Sequence, residues 1–286
     1  MGPATTPQSG PRTRRLTRLV RRHPITAYLI VIFGLVWPGL GIPRLAGYSV
    51  APERLDLVLS AMAFVVLFGA AVLVTAVVGG RPGIRRLLAG IVHWRIGVGR
   101  RLLVAGALPA LTLAVAGATG TLHSPPEGWL RMGVTYLVTG LVGGALLTNV
   151  WEEAAWAGFV QQRLMNRHGL LVGSLLTAVP FALIHVPGVF QNTPAAVAAY
   201  QLAILAVVTP FLRYLVGAVF IDTGGSILAL AVLHASFNAT GALSPLRADG
   251  NFSPPWSCSR SPSAPVGDSA QPPASAGRRN RPTTGS

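Results

Sequence analysis

Seven runs of this chain are apolar for about the length that carries a helix across a lipid bilayer, roughly 20 residues. They lie near 25–42, 57–78, 102–120, 133–159, 170–190, 199–221 and 226–243. Only 11% of the 286 residues are charged, against about 25% in a soluble domain, so the runs are not segments of an ordinary core. Backbone in lipid must satisfy its own hydrogen bonds, and continuous apolar runs do so as helices. The predicted fold is all-α: a polytopic membrane helical bundle with about seven or eight transmembrane helices. The number depends on whether Pro210 leaves 199–221 as one span or divides it.

The net charge of +15 comes from 23 basic residues, every one an arginine. Six lie in 12–22 and six in 79–101. With a cytoplasmic N-terminus, the connections that alternate to the inside carry 14 arginines and those outside carry three, the positive-inside pattern. No arginine and aromatic interleaving of the kind that grips single strands accompanies them, so no nucleic-acid partner is expected. Residues 1–24 read as a basic cytoplasmic segment in contact with membrane lipids, and 79–101 as an inside connection with the character of an interfacial helix. The first apolar run is long, and the nearby small-residue stretch "SVAP" ends in proline, which favours an uncleaved span over a signal peptide. From residue 244 to 286 the chain turns to Pro, Ser, Gly and Arg and is expected to be a disordered tail. That leaves one transmembrane domain, 25–243. The lone Cys258 excludes an intramolecular disulfide framework.

Of eight acidic residues, only Glu152 and Glu153, in "WEEAAWAGFVQQRL", fall where a span should be. An intramembrane carboxylate is costly and marks a functional site by default. The plain alternative is that the span ends at Val150 and both face the cytoplasm. His185 and His234 lie within later spans. His234 and Asn238 are four residues apart and share a helix face, where both can donate to a developing oxyanion. Phe181 and His185 have the same spacing, which sets an aromatic wall beside the imidazole. Adjacent glutamates diverge by about 100° around a helix, so Glu152 and Glu153 should hold different roles.

A carboxylate to take a proton from water, a histidine to orient it and donors for a tetrahedral intermediate suffice for hydrolysis. Glu152, His185 and His234 would equally form a His2Glu set for a divalent metal such as zinc, although HExxH is absent and the sequence leaves the metal open. No phosphate loop or GxSxG elbow is present, and the spacing of Gly140 and Gly144 reads as close helix packing. Ser236, two residues from His234, should face away from it.

A glutamate pair, then FxxxH, then HxxxN, each on its own membrane helix and in this order over roughly 130–243, resembles the CAAX-protease and bacteriocin-processing (Abi) family of intramembrane proteases. That family's motifs are EExxxR, FxxxH and Hxxx[ND]. The resemblance implies an endopeptidase, grouped with the metalloproteases, acting on a hydrophobic or membrane-bound peptide, and the expected location of this chain is a bacterial plasma membrane. Eukaryotic members trim prenylated CAAX proteins, and bacterial ones are linked to bacteriocin immunity or peptide maturation. It makes Glu152 the water-activating base with His185, Glu153 its support, and His234 and Asn238 the oxyanion donors. A non-catalytic immunity or scaffold protein is the alternative, and a transporter using Glu152 in a proton relay is a third. The lysine-free, Ala/Arg-rich composition resembles that of a GC-rich bacterium. One position departs: Ala157 stands where the family has arginine. Arg213, in "PFLRYLVG", is the candidate replacement, its alternative being to snorkel to the interface. Counted from Arg163 and Arg167, Glu152 and His185 also sit about 10 Å apart in depth, a gap that tilt or a kink at Pro180 would have to close.

Overall fold

A computed structural model describes residues 11–241 and 243, and no strand occurs among them. The first ten residues and the tail predicted from 244 lie outside the described residues. Helix α1 covers Pro11–Arg22, α2 Pro24–Leu45, α3 52–79, α4 81–92, α5 Val98–Ala118, α6 129–168, α7 170–189, α8 Ala195–Asp222 and α9 Ile227–Thr240. Among the described residues, five uninterrupted stretches are apolar and long enough to cross a membrane. Two of them, Pro52–Val92 and Trp129–Val189, turn sharply at glycines with positive φ, Gly80 at 57° and Gly169 at 79°. Their division yields the separate spans that the sequence suggests, with α4 as the arginine-rich helix within 79–101.

The chain is an integral membrane protein. Its connections tie together at two opposite ends. At one, Arg21 donates to the carbonyl of Val77, Arg100 pairs with Asp222 at 2.6 Å, and the Ser226 hydroxyl donates to the carbonyl of His93. At the other, Arg44 donates to the carbonyl of Phe190 and Asn192 to that of Val50. Arg81, Arg85, Arg86, Arg95 and Arg101 belong to the first end, as the alternation of spans requires.

Two boundaries differ from the sequence reading, and an alternative that it left open at Pro210 is decided. Helix α6 continues past 159 to residue 168, because nothing in "VQQRLMNRH" breaks a helix before Gly169. Pro210 leaves Ala195–Asp222 a single helix. The final helix has 14 residues, about 21 Å of rise, which is shorter than a full crossing. Its burial compensates: nine of its residues are buried, His234 and Ser236 among them. Ser236 bonds to Tyr136 and to the carbonyl of Ala105, away from the glutamates, as its spacing predicts.

Small residues let α9 into the centre. A Cβ on Gly140 would meet the Cβ of Ala239 at 2.7 Å, and one on Gly144 would meet that of Ala235 at 3.4 Å, so the GxxxG spacing is the groove that seats α9 on α6. Ile227, the first residue of α9, wedges between Gly90 and Gly158, where added Cβ atoms would lie 2.8 and 2.9 Å from its Cδ1.

The turn at Gly169 sets the depth of the site. Helices α6 and α7 run back along each other, and Gly173 lies so close to α6 that a Cβ there would sit 2.5 Å from the backbone nitrogen of Met165. Glu152 is 17 residues before Gly169 and His185 is 16 after it. At about 1.5 Å per residue the two are nearly level. The expected 10 Å gap came from counting depth from Arg163 and Arg167, when the chain reverses at Gly169. Gly173→Ala is expected to force the hairpin apart and to lower stability by about 1–3 kcal/mol, read as a fall in the thermal midpoint of the detergent-solubilised protein.

Candidate active site

The carboxylate pair occupies a short α-helical stretch of α6, Val150–Ala155, flanked by wide π-helical turns over Ala145–Asn149 and Trp156–Gln161. Such turns recur where a helix must re-aim side chains. The two glutamates part company as their 100° offset predicts: Glu153 is fully buried, whereas the Glu152 side chain is 14% exposed. The alternative in which both greet solvent at a span end does not hold, since Ala154 to Ala157 are all buried too.

Arg213 does not snorkel. Its side chain is fully buried, and its guanidinium donates from Nη1 and Nη2 to the two oxygens of Glu153, 3.0 Å each. This fork is the geometry that a guanidinium makes best with a carboxylate. The cation that Ala157 cannot supply from one turn along α6 therefore arrives from α8. Ala157 packs into the apolar cluster with Leu87, Val104 and Val216.

Gln161 completes the pairing, and it carried no signal beyond being polar in an apolar stretch. Its Oε1 accepts from Nε and Nη2 of Arg213 at 2.9 and 2.5 Å, while its Nε2 donates to the Arg213 carbonyl at 2.6 Å and to Ser174 Oγ at 3.0 Å. Eight residues of regular α-helix would leave Gln161 about 80° from Glu153 around the axis. The wide turn between them reduces that angle, and both side chains reach one guanidinium. Gly217, one turn beyond Arg213, makes room: a Cβ there would lie 2.6 Å from Gln161 Nε2.

On its other side Glu153 accepts from His234 Nδ1 at 2.8 Å, and Glu152 Oε2 is 3.9 Å from the same nitrogen. The buried order is thus Gln161, Arg213, Glu153, His234. Phe181 lies under it: the Arg213 guanidinium stacks 4.9 Å from the ring, and the imidazoles of His185 and His234 lie 4.8 and 6.0 Å from it. His185 Nδ1 donates to the Phe181 carbonyl at 2.6 Å. A carbonyl can only accept, so that proton is on Nδ1 and Nε2 carries the lone pair. Asn238 is half-buried one turn beyond His234. Among the described residues, Glu152, His185 Nε2 and the Asn238 carboxamide make no hydrogen bond to the protein.

The structure brings together Glu152, Glu153 and His234 directly and His185 through Phe181, with Asn238 on the face of α9 that bears His234. It does not assemble a His2Glu centre. Among the described residues no group of three His, Cys, Asp or Glu side chains is close enough to hold a metal ion, and the Nδ1 atoms of His234 and His185 are bonded to Glu153 and to the Phe181 carbonyl.

A family model, type II CAAX prenyl endopeptidase Rce1-like, matches residues 133–240. That stretch holds α6 through α9, with all three motifs. Residues 133–240 are an Rce1-like domain. The family is that of the CAAX-type intramembrane proteases which the motifs resemble. No curated protein and no solved structure matches the chain. Helices α1 to α5 lie outside the Rce1-like match, yet Tyr28, Ile32 and Val36 of α2 pack against Trp156, Phe159 and Phe181 beside the site.

Proposed function

We propose that this protein is an intramembrane endopeptidase that cleaves a membrane-associated or hydrophobic peptide with a water activated by Glu152 and His185. The observation that carries the reading is the division of labour between the glutamates. Glu153 is locked between Arg213 and His234, and Glu152, beside it, is left with unoccupied lone pairs.

Glu152 takes one proton of the water as the water oxygen bonds to the carbonyl carbon and the C=O π pair moves onto oxygen. His185 Nε2 accepts from the second water hydrogen and orients it. The new oxyanion takes hydrogen bonds from His234 and Asn238. With Nδ1 donating to Glu153, His234 offers an Nε2 proton only as the imidazolium. Collapse of the intermediate breaks the C–N bond, and Glu152 returns its proton to the leaving nitrogen. Glu153, Arg213 and Gln161 are positioning residues in this scheme.

The proposed boundaries are the basic segment 1–24, the membrane domain 25–243 and the tail 244–286. We place the N-terminus and the arginine-rich end on the cytoplasmic side of a bacterial plasma membrane. The test is cleavage of a hydrophobic peptide reporter by the full chain in liposomes. The wild type should cleave it, and His185→Ala should reduce cleavage at least 100-fold with the thermal midpoint kept. Cleavage retained in both His185→Ala and Glu152→Ala would leave a scaffold or immunity role as the better reading.

A further inference from the structure

On its arginine-rich side the proposed catalytic pair, Glu152 and His185, is closed by packing. Trp156, four residues after Glu152, and Phe181, four before His185, are both buried, and their ring centroids are 5.5 Å apart. On the opposite side the cover is a segment of α3, Pro52–Met62. Thr148 lies four residues before Glu152, one turn away on nearly the same face of α6. Its hydroxyl is 2.6 Å from that of Ser60. Gly188 lies three residues after His185, and a Cβ there would be 3.8 Å from Cδ2 of Leu59. Leu59 and Ser60 thus bridge α6 and α7 about one turn beyond the two catalytic side chains. The segment is lightly held: of its 11 residues Leu55 alone is buried, whereas Leu67, Phe68, Ala70, Ala71 and Val74 further along α3 are all buried. The border between the halves is a wide π-helical turn, Ala63–Phe68, where the rings of Phe64 and Phe68 lie 4.8 and 5.2 Å from that of Trp151.

We propose that Pro52–Met62 is a lid over Glu152 and His185, latched by the hydroxyl pair of Ser60 and Thr148 and hinged at the wide turn Ala63–Phe68. The proposal rests on the hydrolytic reading above. A peptide must set its carbonyl against His234 and Asn238 while the water lies at Glu152 and His185. The Glu152 side chain is 14% exposed and that of His234 6%, too little for a peptide backbone to reach both. The arrangement is therefore closed, and one of its walls has to move. Trp156 and Phe181 belong to the apolar cluster shared with α2, and displacing them would open that core. Displacing the lid separates one hydroxyl pair and one leucine contact. A π turn holds about one residue more than a regular turn. Tightening it to α-helix carries the preceding segment round by one residue's angle, about 100°, which takes Leu59 and Ser60 off α6 and α7.

The latch can be made covalent. Hydroxyls 2.6 Å apart place their Cβ atoms within reach of a disulfide, so Ser60→Cys with Thr148→Cys, in a chain that also carries Cys258→Ser, should cross-link on oxidation. In liposomes with the hydrophobic peptide reporter, the reduced double variant should cleave within about 3-fold of the wild type. The oxidised form should lose cleavage by about 50-fold or more with its thermal midpoint unchanged or raised, and dithiothreitol should restore it. Ser60→Ala, which frees the latch, should raise kcat/KM about 2- to 5-fold. Failure to cross-link overturns the proposal, since the two side chains are then not in contact, and so does an oxidised form that cleaves as fast as the reduced one. If the reduced double variant is inactive, Ser60→Ala decides, and an unchanged or lowered rate overturns the lid. Glu152→Gln is run in parallel. If it keeps cleaving, the hydrolytic reading fails and the lid loses its role with it. If it is dead while the cross-linked form cleaves freely, only the lid fails.

Discussion

Arg213→Leu is expected to destabilise the protein by about 3–5 kcal/mol, the cost of leaving a buried carboxylate without its cation. The carboxylate is Glu153, which has no exposure through which water could stand in for the guanidinium. Gln161 loses the partner of its Oε1 in the same step. Measured as the thermal midpoint in detergent, a loss below about 1 kcal/mol would show that the fork contributes little. The double variant Arg213→Leu with Glu153→Leu separates folding from chemistry. Replacing a whole buried pair by apolar side chains is often neutral, so much of the stability should return. Recovery stays partial because Gln161 and His234 each still lack a partner. Cleavage should not return, because His234 then has no carboxylate at Nδ1.

Glu152→Gln should reduce kcat by about 100- to 10,000-fold, the range for loss of a positioned general base. Glutamine keeps the size and removes the proton acceptor. Glu152 makes no hydrogen bond to the protein among the described residues, so the midpoint should stay within about 0.5 kcal/mol of the wild type. The contrast with Arg213→Leu is the test of the arrangement: one variant folds and does not cleave, the other fails because it does not fold. If Glu152→Gln destabilised as strongly as Arg213→Leu, both glutamates would be structural.

Much of this was legible in the sequence, for physical reasons that differ residue by residue. The spans could be read because apolar length is a strong and simple signal. Glu152, Glu153, His185 and His234 stood out because polar groups are rare at depth, and the four-residue spacing of His234 and Asn238 placed them on one face. Arg213 was visible as a lone arginine in an apolar run, but whether it turned inward or outward depends on tertiary packing. Gln161 and Ser174 were not visible, since their role depends on a wide helical turn and on the missing side chain of Gly217. The level of the site was misjudged because arginines were taken to mark the end of α6, when the chain reverses only at a glycine whose φ suits the turn.

The transfer of the cation from position 157 to Arg213 changes when Glu153 gains its counter-ion. An arginine one turn along α6 would meet Glu153 as soon as that helix formed. Here the partners are 60 residues apart in the chain, and the ion pair forms only after α7 has turned back and α8 has packed against it. Until then Glu153 has no counter-ion and His234 no anchored carboxylate. On the proposed hydrolytic reading, an unfinished chain would be expected to stay inert until α8 has supplied the cation and α9 the imidazole, so that assembly itself would act as the activation step.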